Sequence, residues 1–377
     1  MLLVTVFLVT RGHGVSVSHG GKNSKTRENE KIATCGRFWY NAAEVRIMSN
    51  VTYLETGSTD PTYNLAFEEY VLTHRTQGDY LLLWQNDNTI VVGQNQNTAQ
   101  EIDPAFVKEH HITVVRRGTG GGAVYHDLGN LNYSFITDTG AAERLTMDRF
   151  TRPIVEALQN LGLNAEASGR NDILVEGRKV SGTAQRLVHG RILHHGTLLF
   201  DSRPEMIAGA LRVDQAKFTS KSAKSVKSRI GNIREFLPAD MTLPEFWEYL
   251  KRQLAGTGLV QSALTADELA QVSRLADEKY RTWEWTYGRS PKFDMVKRNY
   301  FTGGRLEVGV SVDHGSITEI RFYGDFLSLT DTTPLCRALE GVAYREDAVA
   351  AVLDSQPMAE MFGGITRDEV LRTIFNQ

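Results

Sequence analysis

The chain has 377 residues, of which 41% are hydrophobic, and a formal net charge of -3. This length allows a buried core and favours two domains, while the near-neutral charge argues against a dedicated nucleic-acid binder, which carries a strong basic excess. Two cysteines, Cys35 and Cys336, are too few for a disulfide framework or a cysteine-rich metal site, so we expect a reducing, cytoplasmic setting.

The first 47 residues form a leader that differs from the rest of the chain. Residues 1–10 are apolar, but a membrane-spanning helix needs about 20 such residues. A basic n-region and a small-residue cleavage site, which mark a secretory signal, are both missing from the pattern. Residues 11–47 are polar and show no periodicity. We interpret the leader as disordered or as an over-extended start, with Met48 as the initiator; organelle targeting is the alternative.

Patterned sequence begins near Val51. Asp60 followed by proline predicts a helix start, and residues 64–72 have helical spacing. The β-rich runs 81–84 and 89–93 flank an Asn/Asp cluster and predict a hairpin. Residues 112–115 predict a strand that runs directly into Arg116 and Arg117. Because strands often follow strands without a helix between them, we predict an α+β fold with a mixed or antiparallel sheet and flanking helices.

The second half continues this pattern and then changes. Residues 131–136 and 193–200 predict strands, and residues 146–161 and 204–212 predict helices. Basic residues among serines at 217–229 indicate a mobile loop. A capping box at 265–268 starts a helix that reaches about Tyr280, and residues 305–323 predict two strands about a turn at 313–315. We therefore predict a catalytic domain at 48–264 and a small α+β accessory domain at 265–377.

The segment RRGTGGGAVYHD, residues 116–127, joins paired arginines to a glycine run. Glycine lets the main chain approach a ligand, and successive amides can form an anion-binding nest. Arginine adds a bidentate fork for phosphate or carboxylate. Taken alone, glycine runs more often make turns and paired arginines a solvated face. The segment matches neither the P-loop pattern nor the dinucleotide fingerprint.

Two further segments carry side chains that suit chemistry. Lys179 lies on the second strand of a hairpin that turns at Glu176-Gly177, and its long stem suits a bridge between phosphate and carboxylate; the alternative is an exposed hairpin lysine. His194 and His195 point to opposite faces of one strand, which argues against a metal site made by this pair. One of the two is more consistent with a core or supporting residue than with a catalytic base.

Three segments, in this order, resemble the bacterial-type lipoate–protein ligase family of the biotin/lipoate ligase superfamily: RRGTGGGAVYHDLGNLNYSF, SGRNDILVEGRKVSGTAQR and HHGTLLF. The likeness covers roughly residues 50–377 and includes EKYRTWEWTYG, FTGGRLEV and FYGDFL, which resemble the family's accessory domain. The leader has no counterpart. The resemblance implies the biotin/lipoate ligase catalytic fold, a mixed sheet with helices that is related to class II tRNA synthetases.

The resemblance also implies roles for individual residues. Lys179 is expected to be the catalytic residue that contacts both the nucleotide phosphate and the acyl carboxylate. The other residues expected to bind ATP are Arg117, Gly122, Ala123, Val124 and Tyr125. Those expected to line or support the lipoate pocket are His126, Asn171, Asp172, His195 and Thr197, and Asp172 is also a magnesium contact. The basic loop at 217–229 is expected to fold over the adenylate.

The implied activity is the ATP-dependent activation of lipoate to lipoyl-AMP, followed by transfer to the ε-amine of a lysine on a carrier domain. ATP and lipoate are the expected substrates, and Mg²⁺ is expected to neutralise the departing pyrophosphate. No tightly bound cofactor is expected. The acceptors would be lipoyl domains of 2-oxoacid dehydrogenase E2 subunits or the glycine-cleavage H protein, with no nucleic-acid or membrane partner. We expect an apolar slot for the acyl chain, walled by residues 81–92, Val124 and Tyr125.

Four alternatives stay open. An octanoyl or lipoyl transferase of the same superfamily would act without ATP through a cysteine nucleophile, but both cysteines lie outside residues 116–232. A ligase that uses preformed lipoyl-adenylate, a biotin-specific enzyme and a non-catalytic binder are the others. The sequence does not distinguish lipoate from octanoate.

Overall fold

The computed structural model describes residues 51–139, 147–211, 229–255, 258–288 and 293–375. All of them belong to one compact unit, Arg46–Gln377. The leader, Met48 and nearly all of the predicted basic loop lie outside the described residues, and the predicted domain boundary at 264/265 stays a prediction. Within the described ranges, helices that combine the length and the apolarity needed to cross a bilayer are absent.

The described residues form fourteen strands, numbered here in chain order. They are β1 Val51–Glu55, β2 Asp79–Trp84, β3 Thr89–Val92, β4 Thr113–Arg116, β5 Val124–His126, β6 Asn130–Asp138, β7 Ala165–Ser168, β8 Asp172–Val175, β9 Arg178–Val188, β10 Arg191–Leu199, β11 Leu259–Gln261, β12 Met295–Phe301, β13 Gly304–Asp313 and β14 Ser316–Gly324.

Twelve α-helices of the described residues flank these strands. They are α1 Pro61–His74, α2 Thr98–Glu101, α3 Pro104–Glu109, α4 Met147–Asn160, α5 Pro204–Ala210, α6 Leu243–Ala255, α7 Ala266–Leu275, α8 Trp283–Thr286, α9 Thr333–Leu339, α10 Glu346–Leu353, α11 Met358–Phe362 and α12 Arg367–Phe375. A 3₁₀ turn at Ile233–Phe236 and a π-helical turn at Ala276–Tyr280 complete the set.

The central sheet has eight strands in the order β11-β1-β2-β6-β10-β9-β8-β7. β1 is parallel to β2 and β11, and the remaining pairs are antiparallel. Alternate side chains of β2 point to opposite faces, so Leu81 joins the core beneath α4 and α6 while Leu82 joins the core beneath α1. The predicted α+β class with a mixed sheet and flanking helices is confirmed.

The predicted hairpin of residues 81–92 is wrong. β2 pairs with β1 and β6 in the central sheet, whereas β3 pairs with β4 and β5 in a separate three-stranded sheet. The connection is held away from a hairpin turn by α1, because the Asn64 amide donates to Gln85 O at 2.7 Å and to Asn86 Oδ1 at 3.0 Å. Long-range partners therefore override the local turn signal.

The other predicted elements are present. Asp60 accepts a hydrogen bond from Thr62 N and Pro61 occupies the first turn of α1, as expected for a helix start. Thr265 and Glu268 form the predicted capping box of α7. β6, β10, α4 and α5 lie where strands and helices were predicted, and β13 and β14 surround the predicted turn.

The strands β12, β13 and β14 form a third sheet whose core packs against α9–α12. The loop after β14 leaves this sheet and contacts the glycine segment. Gly121 N donates to Phe326 O at 3.0 Å, and Leu187 N donates to Leu329 O at 2.8 Å. Leu329 is itself part of the core of the central sheet. The C-terminal sheet therefore supports the region where the sequence motifs meet.

Candidate active site

Glycine is needed at two positions where the glycine segment between β4 and β5 meets the end of β3. A Cβ on Gly93, at the end of β3, would lie 2.0 Å from the carbonyl oxygen of Gly121. Gly121 itself has a φ of +87°, a backbone conformation that other residues rarely adopt. Glycine at these two positions is therefore required by the fold of the loop, and it also suits close approach by a ligand.

Arg116 and Arg117 differ in role although they are adjacent. Arg116 is fully buried, and its guanidinium donates hydrogen bonds to the backbone oxygens of residues around the loop: Gly93, Gln94, Gln96, Trp285 and Thr286. Arg116 therefore cross-links the backbone segments that surround the site, from a buried position.

Arg117 faces the loop and the cleft in front of it. It donates to Thr119 Oγ1 at 2.9 Å, Gly120 O at 2.6 Å and Gly122 O at 2.8 Å. Burial lowers the pKa of Arg117 to about 10, against the opposing charge of Glu68. The guanidinium is therefore still a cation at neutral pH, and it both shapes the loop and places positive charge at the cleft.

Lys179 lies on β9 opposite β8. Its Nζ contacts Asp172 Oδ1 at 2.6 Å, and about 39% of its side chain is exposed. A Cβ on Gly182 would lie 3.1 Å from Nζ, so glycine at that position leaves the lysine room. Lys179 lines the cleft, whereas Asp172 lies outside its wall. The ammonium group is thus held at the cleft by a carboxylate that an anionic ligand could replace.

His194 and His195 point to opposite faces of β10, as predicted. His194 is buried against Phe150, with ring centroids 5.0 Å apart. His195 faces the cleft; its Nδ1 lies 2.9 Å from Glu68 Oε1 and its Nε2 lies 2.8 Å from Thr119 Oγ1. Since a carboxylate only accepts, Nδ1 carries a proton.

Glu68 was not recognised from the sequence as a site residue. It lies on α1, is 4% exposed, and also accepts from Ser134 Oγ at 2.6 Å. Together with His195 and Thr119 it forms a hydrogen-bonded chain that ends at Arg117. The signal in the sequence that could have identified it is a glutamate one helical turn away from Leu65, Val71 and Leu72, because a carboxylate among apolar residues needs a partner.

The cleft between the central sheet, α1 and the glycine segment has a cavity volume of about 120 Å³. Among the residues predicted for the site, those that line it are Arg117, Gly122, Ala123, Val124, His126, Asn171, Lys179, His195 and Thr197. Leu65, Trp84 and Val91 form an apolar part of the wall that the sequence prediction covered only through residues 81–92.

Tyr125 lies apart from the other predicted site residues. Its ring is buried in a separate core with Ile90 and Val92, and its hydroxyl donates to Asn88 Oδ1 at 2.8 Å. The side chain therefore does not wall the cleft, which leaves only its backbone available to a nucleotide.

Asn171 and Thr197 are positioned by backbone contacts. The Asn171 amide donates to Thr183 O at 2.8 Å, and Thr197 Oγ1 accepts from Gly182 N at 3.3 Å. These bonds link β8, β9 and β10 at the point where the three strands border the cleft. Both residues line the cleft that Lys179 also lines.

Metal-ligating side chains do not cluster in the described ranges: no group of three or more His, Cys, Asp or Glu residues is arranged to hold an ion. Cys336 lies in the core of the C-terminal sheet, where burial raises the pKa of its thiol to about 11. The described part of the cleft wall contains no thiol.

Two family models match the chain. Residues 60–255 match the lipoyl protein ligase A/B catalytic domain, and residues 290–374 match the bacterial lipoate protein ligase C-terminus. Among curated proteins, a lipoate-protein ligase of Bacillus subtilis is 42% identical over 84% of this chain and 97% of its own length. Lipoate–protein ligase 1 of Staphylococcus aureus is 42% identical over 83% of this chain and 96% of its own.

Solved structures of similar proteins agree with these family matches. LipL1 of P. falciparum in complex with lipoate has a TM-score of 0.73 over 87% of this chain and 100% of that one, at 23% identity, which shows the shared fold. Lipoate-protein ligase A bound with ATP has a TM-score of 0.55 and 27% identity over 64% of this chain and 99% of that one. The chain therefore belongs to the lipoate–protein ligase family and is an enzyme of the ligase class.

Proposed function

We propose that this enzyme joins lipoate to a lysine of a carrier protein in two steps, through lipoyl-AMP. The observation that carries the proposal is the convergence of two cations, Lys179 and Arg117, with the glycine segment on one cleft that also has an apolar wall. Membership of the family supports the same activity. ATP and lipoate, which relatives with solved structures bind, are the proposed substrates.

In the first step, a carboxylate oxygen of lipoate attacks the α-phosphorus of ATP. A P–O bond forms to the acid and the P–O bond to pyrophosphate breaks, which gives a mixed anhydride. The substrate supplies the nucleophile, so the protein acts by positioning and by charge stabilisation. Lys179 would exchange Asp172 for the two reacting anions and hold them together against their repulsion.

In the second step, the ε-amine of an acceptor lysine attacks the acyl carbonyl of the adenylate. The new C–N bond forms as the bond to AMP breaks, and the amine loses a proton. Arg117, held by the loop, would keep the AMP phosphate against the glycine segment during this step. The acyl chain would lie along Leu65, Trp84 and Val91.

Magnesium is proposed to arrive with ATP as part of the substrate. Asp172 was predicted as a contact, but its carboxylate is paired with Lys179 and the described residues offer no cluster of ligands for an ion. These residues do not fit a resident metal site, and we assign no step to one.

The transferase alternative requires a thiol nucleophile at the cleft. In the described part of the chain the one cysteine, Cys336, is buried in the C-terminal core and its raised pKa disfavours the thiolate. Cys35 lies outside the described residues. The ATP-dependent route is therefore the better supported of the two.

The proposed acceptors are lipoyl domains of 2-oxoacid dehydrogenase E2 subunits or the glycine-cleavage H protein, in the cytoplasm. A solved bi-partite lipoate protein ligase from Thermoplasma acidophilum, described together with its E2 lipoyl domain, is 29% identical over 66% of this chain and 99% of that one, with a TM-score of 0.55. The low cysteine content supports the reducing compartment.

Lys179→Ala tests the proposal. The variant is expected to lose lipoate-dependent ATP–pyrophosphate exchange by at least about a thousandfold, because the mutual repulsion of two anions is no longer compensated. Lys108→Ala, which removes an exposed lysine of α3, is the matched control and should exchange normally. Circular dichroism should show the same fold in both.

Exchange at the control rate in Lys179→Ala would remove this lysine from the mechanism. Wild-type enzyme that transfers an acyl group between carrier proteins but shows no ATP–pyrophosphate exchange would instead favour the transferase.

A further inference from the structure

The cleft has two chemically different ends. Across the central sheet, Trp84 pairs with Asn132, Asn132 pairs with Thr197, and Gly182 pairs with Asp172. Thr197 and Gly182 are joined by a hydrogen bond of 3.3 Å. Four strand spacings of about 4.8 Å therefore separate Trp84 from Asp172, or roughly 19 Å. Because Lys179 is paired with Asp172, the reacting carboxylate belongs at that end and the far end of the acyl chain near Trp84.

His126 lies at the Trp84 end. The rings of His126 and Trp84 pack in a T-shaped arrangement, with centroids 6.5 Å apart and planes at 73°. His126 lines the cleft and is 3% exposed, yet its Nε2 has no hydrogen-bond partner among the described residues. A buried polar atom of this kind is rare in folded proteins, and it calls for a partner.

The neighbouring amides determine which nitrogen of His126 carries the proton. Asn64 Nδ2 lies 3.0 Å from Ser58 O and 2.7 Å from Gln85 O, and two carbonyls can only be met by a donor. The same Nδ2 donates to Asn86 Oδ1 at 3.0 Å, so the other end of that amide, Nδ2, faces His126 Nδ1 at 3.1 Å. Nδ1 is therefore an acceptor and carries no proton.

The ring is also neutral. Burial, followed by the charges of Arg117 and His195, lowers the pKa of His126 to about 3. At neutral pH the single proton therefore sits on Nε2, which is a hydrogen-bond donor without an acceptor. Leu65 and Val91, which line the same cleft, have side chains that cannot accept a hydrogen bond. A donor in this position would remain unpaired beside a plain alkyl chain.

We propose that His126 Nε2–H selects acids that carry a hydrogen-bond acceptor at the end remote from the carboxylate, and that a dithiolane sulfur of lipoate is this acceptor. The inference rests on the proposed function and addresses its selectivity. Sulfur is a weak acceptor, but the alternative is a buried donor left unsatisfied, which is the larger energetic effect. Asn132 adds a second unpartnered polar atom, Nδ2, to the cleft wall.

The experiment compares lipoate with 5-cyclopentylpentanoate, in which methylene groups replace both sulfurs of the ring, and with octanoate. Acid-dependent ATP–pyrophosphate exchange gives kcat/KM for each, and calorimetric titration without ATP gives each Kd. Wild-type enzyme should prefer lipoate to the cyclopentyl acid by about tenfold, and His126→Phe should reduce this preference to about twofold or less. Asn132→Leu should also reduce the preference for lipoate over the cyclopentyl acid.

His194→Phe is the matched control, because it also replaces a buried histidine but on the opposite face of the sheet, against Phe150. It should keep the wild-type preference. Equal Kd values for lipoate and the cyclopentyl acid in wild-type enzyme would overturn the inference without any variant, as would an unchanged preference in His126→Phe. Absence of exchange with every acid would overturn the proposed function itself, a result distinct from exchange without selectivity.

Discussion

Adjacent side chains in this enzyme have environments that their sequence positions do not reveal. His194 is enclosed by Phe150 and contacts Gln185 through Nδ1 at 3.0 Å. Burial, assisted by the charge of His195, lowers the pKa of His194 to about 3. His195, one residue later, is tied to Glu68. Neighbouring residues of one strand thus serve the core and the cleft respectively.

The buried neutral histidines predict how stability depends on pH. An unfolded histidine binds a proton near pH 6.5, while His194 and His126 do so only near pH 3 in the folded state. Between these values the unfolded chain binds more protons, so the free energy of unfolding falls as the pH is lowered from about 6.5. Each histidine contributes at most about 1.4 kcal/mol per pH unit.

His194→Phe should therefore show a shallower loss of stability than wild type between about pH 6 and pH 4, because one of the two contributions is removed. Urea unfolding at a series of pH values measures it. The carboxylates titrate in both proteins, so the difference between the two curves isolates the histidine. Parallel curves would show that His194 is not held neutral by the fold.

At the scale of elements, the site depends on the contact of the glycine segment with the end of β3. A Cβ on Gly93 would lie 2.0 Å from Gly121 O, and Gly121 has a φ of +87°, which strains any residue other than glycine. Arg117 then ties the carbonyl oxygens of Gly120 and Gly122 to one guanidinium. The segment is consequently a rigid wall of the cleft, assembled from two strands and one side chain.

Gly93→Ala should displace this wall, since the new Cβ would lie 2.0 Å from Gly121 O. We expect a rise of at least about tenfold in the KM for ATP, because the loop that is to receive the nucleotide moves. Gly190→Ala is the control: Gly190 has a φ of +76° but open space around it. It should cost about 1 kcal/mol of stability and leave KM unchanged. The prediction fails if both variants show the same KM.

At the scale of the whole molecule, the loop after β14 connects the core of the C-terminal sheet to the core of the central sheet. Leu329 follows β14 yet packs in the core of the central sheet, while Phe326 of the same loop packs with the C-terminal helices. In the same loop, the carbonyl oxygen of Phe326 accepts a hydrogen bond from Gly121 N. The glycine segment is therefore bonded to a loop that is anchored in both cores.

Leu329→Ala should destabilise the protein by about 2–4 kcal/mol and should also reduce ATP–pyrophosphate exchange, because the loop that supports Gly121 loses its anchor. Leu335→Ala makes the same change inside the C-terminal core alone. It should cost similar stability but retain exchange at a temperature where both variants are folded. Equal exchange rates in the two variants would show that the junction does not support the site.

The sequence alone determined the family, the α+β class, most element positions and most of the cleft. Ordered motifs identified the predicted residues that line the cleft, from Arg117 to Thr197. Capping residues identified the starts of α1 and α7. These signals are local: a cap, a turn or a glycine run acts within a few residues of itself, so a single chain can be read for them.

Only the tertiary structure decided which strands pair, which arginine supports the loop from behind, and that Glu68 reaches His195. It separated β2 from β3, where a local turn signal predicted a hairpin, and it directed the Tyr125 side chain away from the cleft. Pairing and burial depend on contacts between residues far apart in the chain. The proton on His126 Nε2 likewise follows from amides brought together from two other segments.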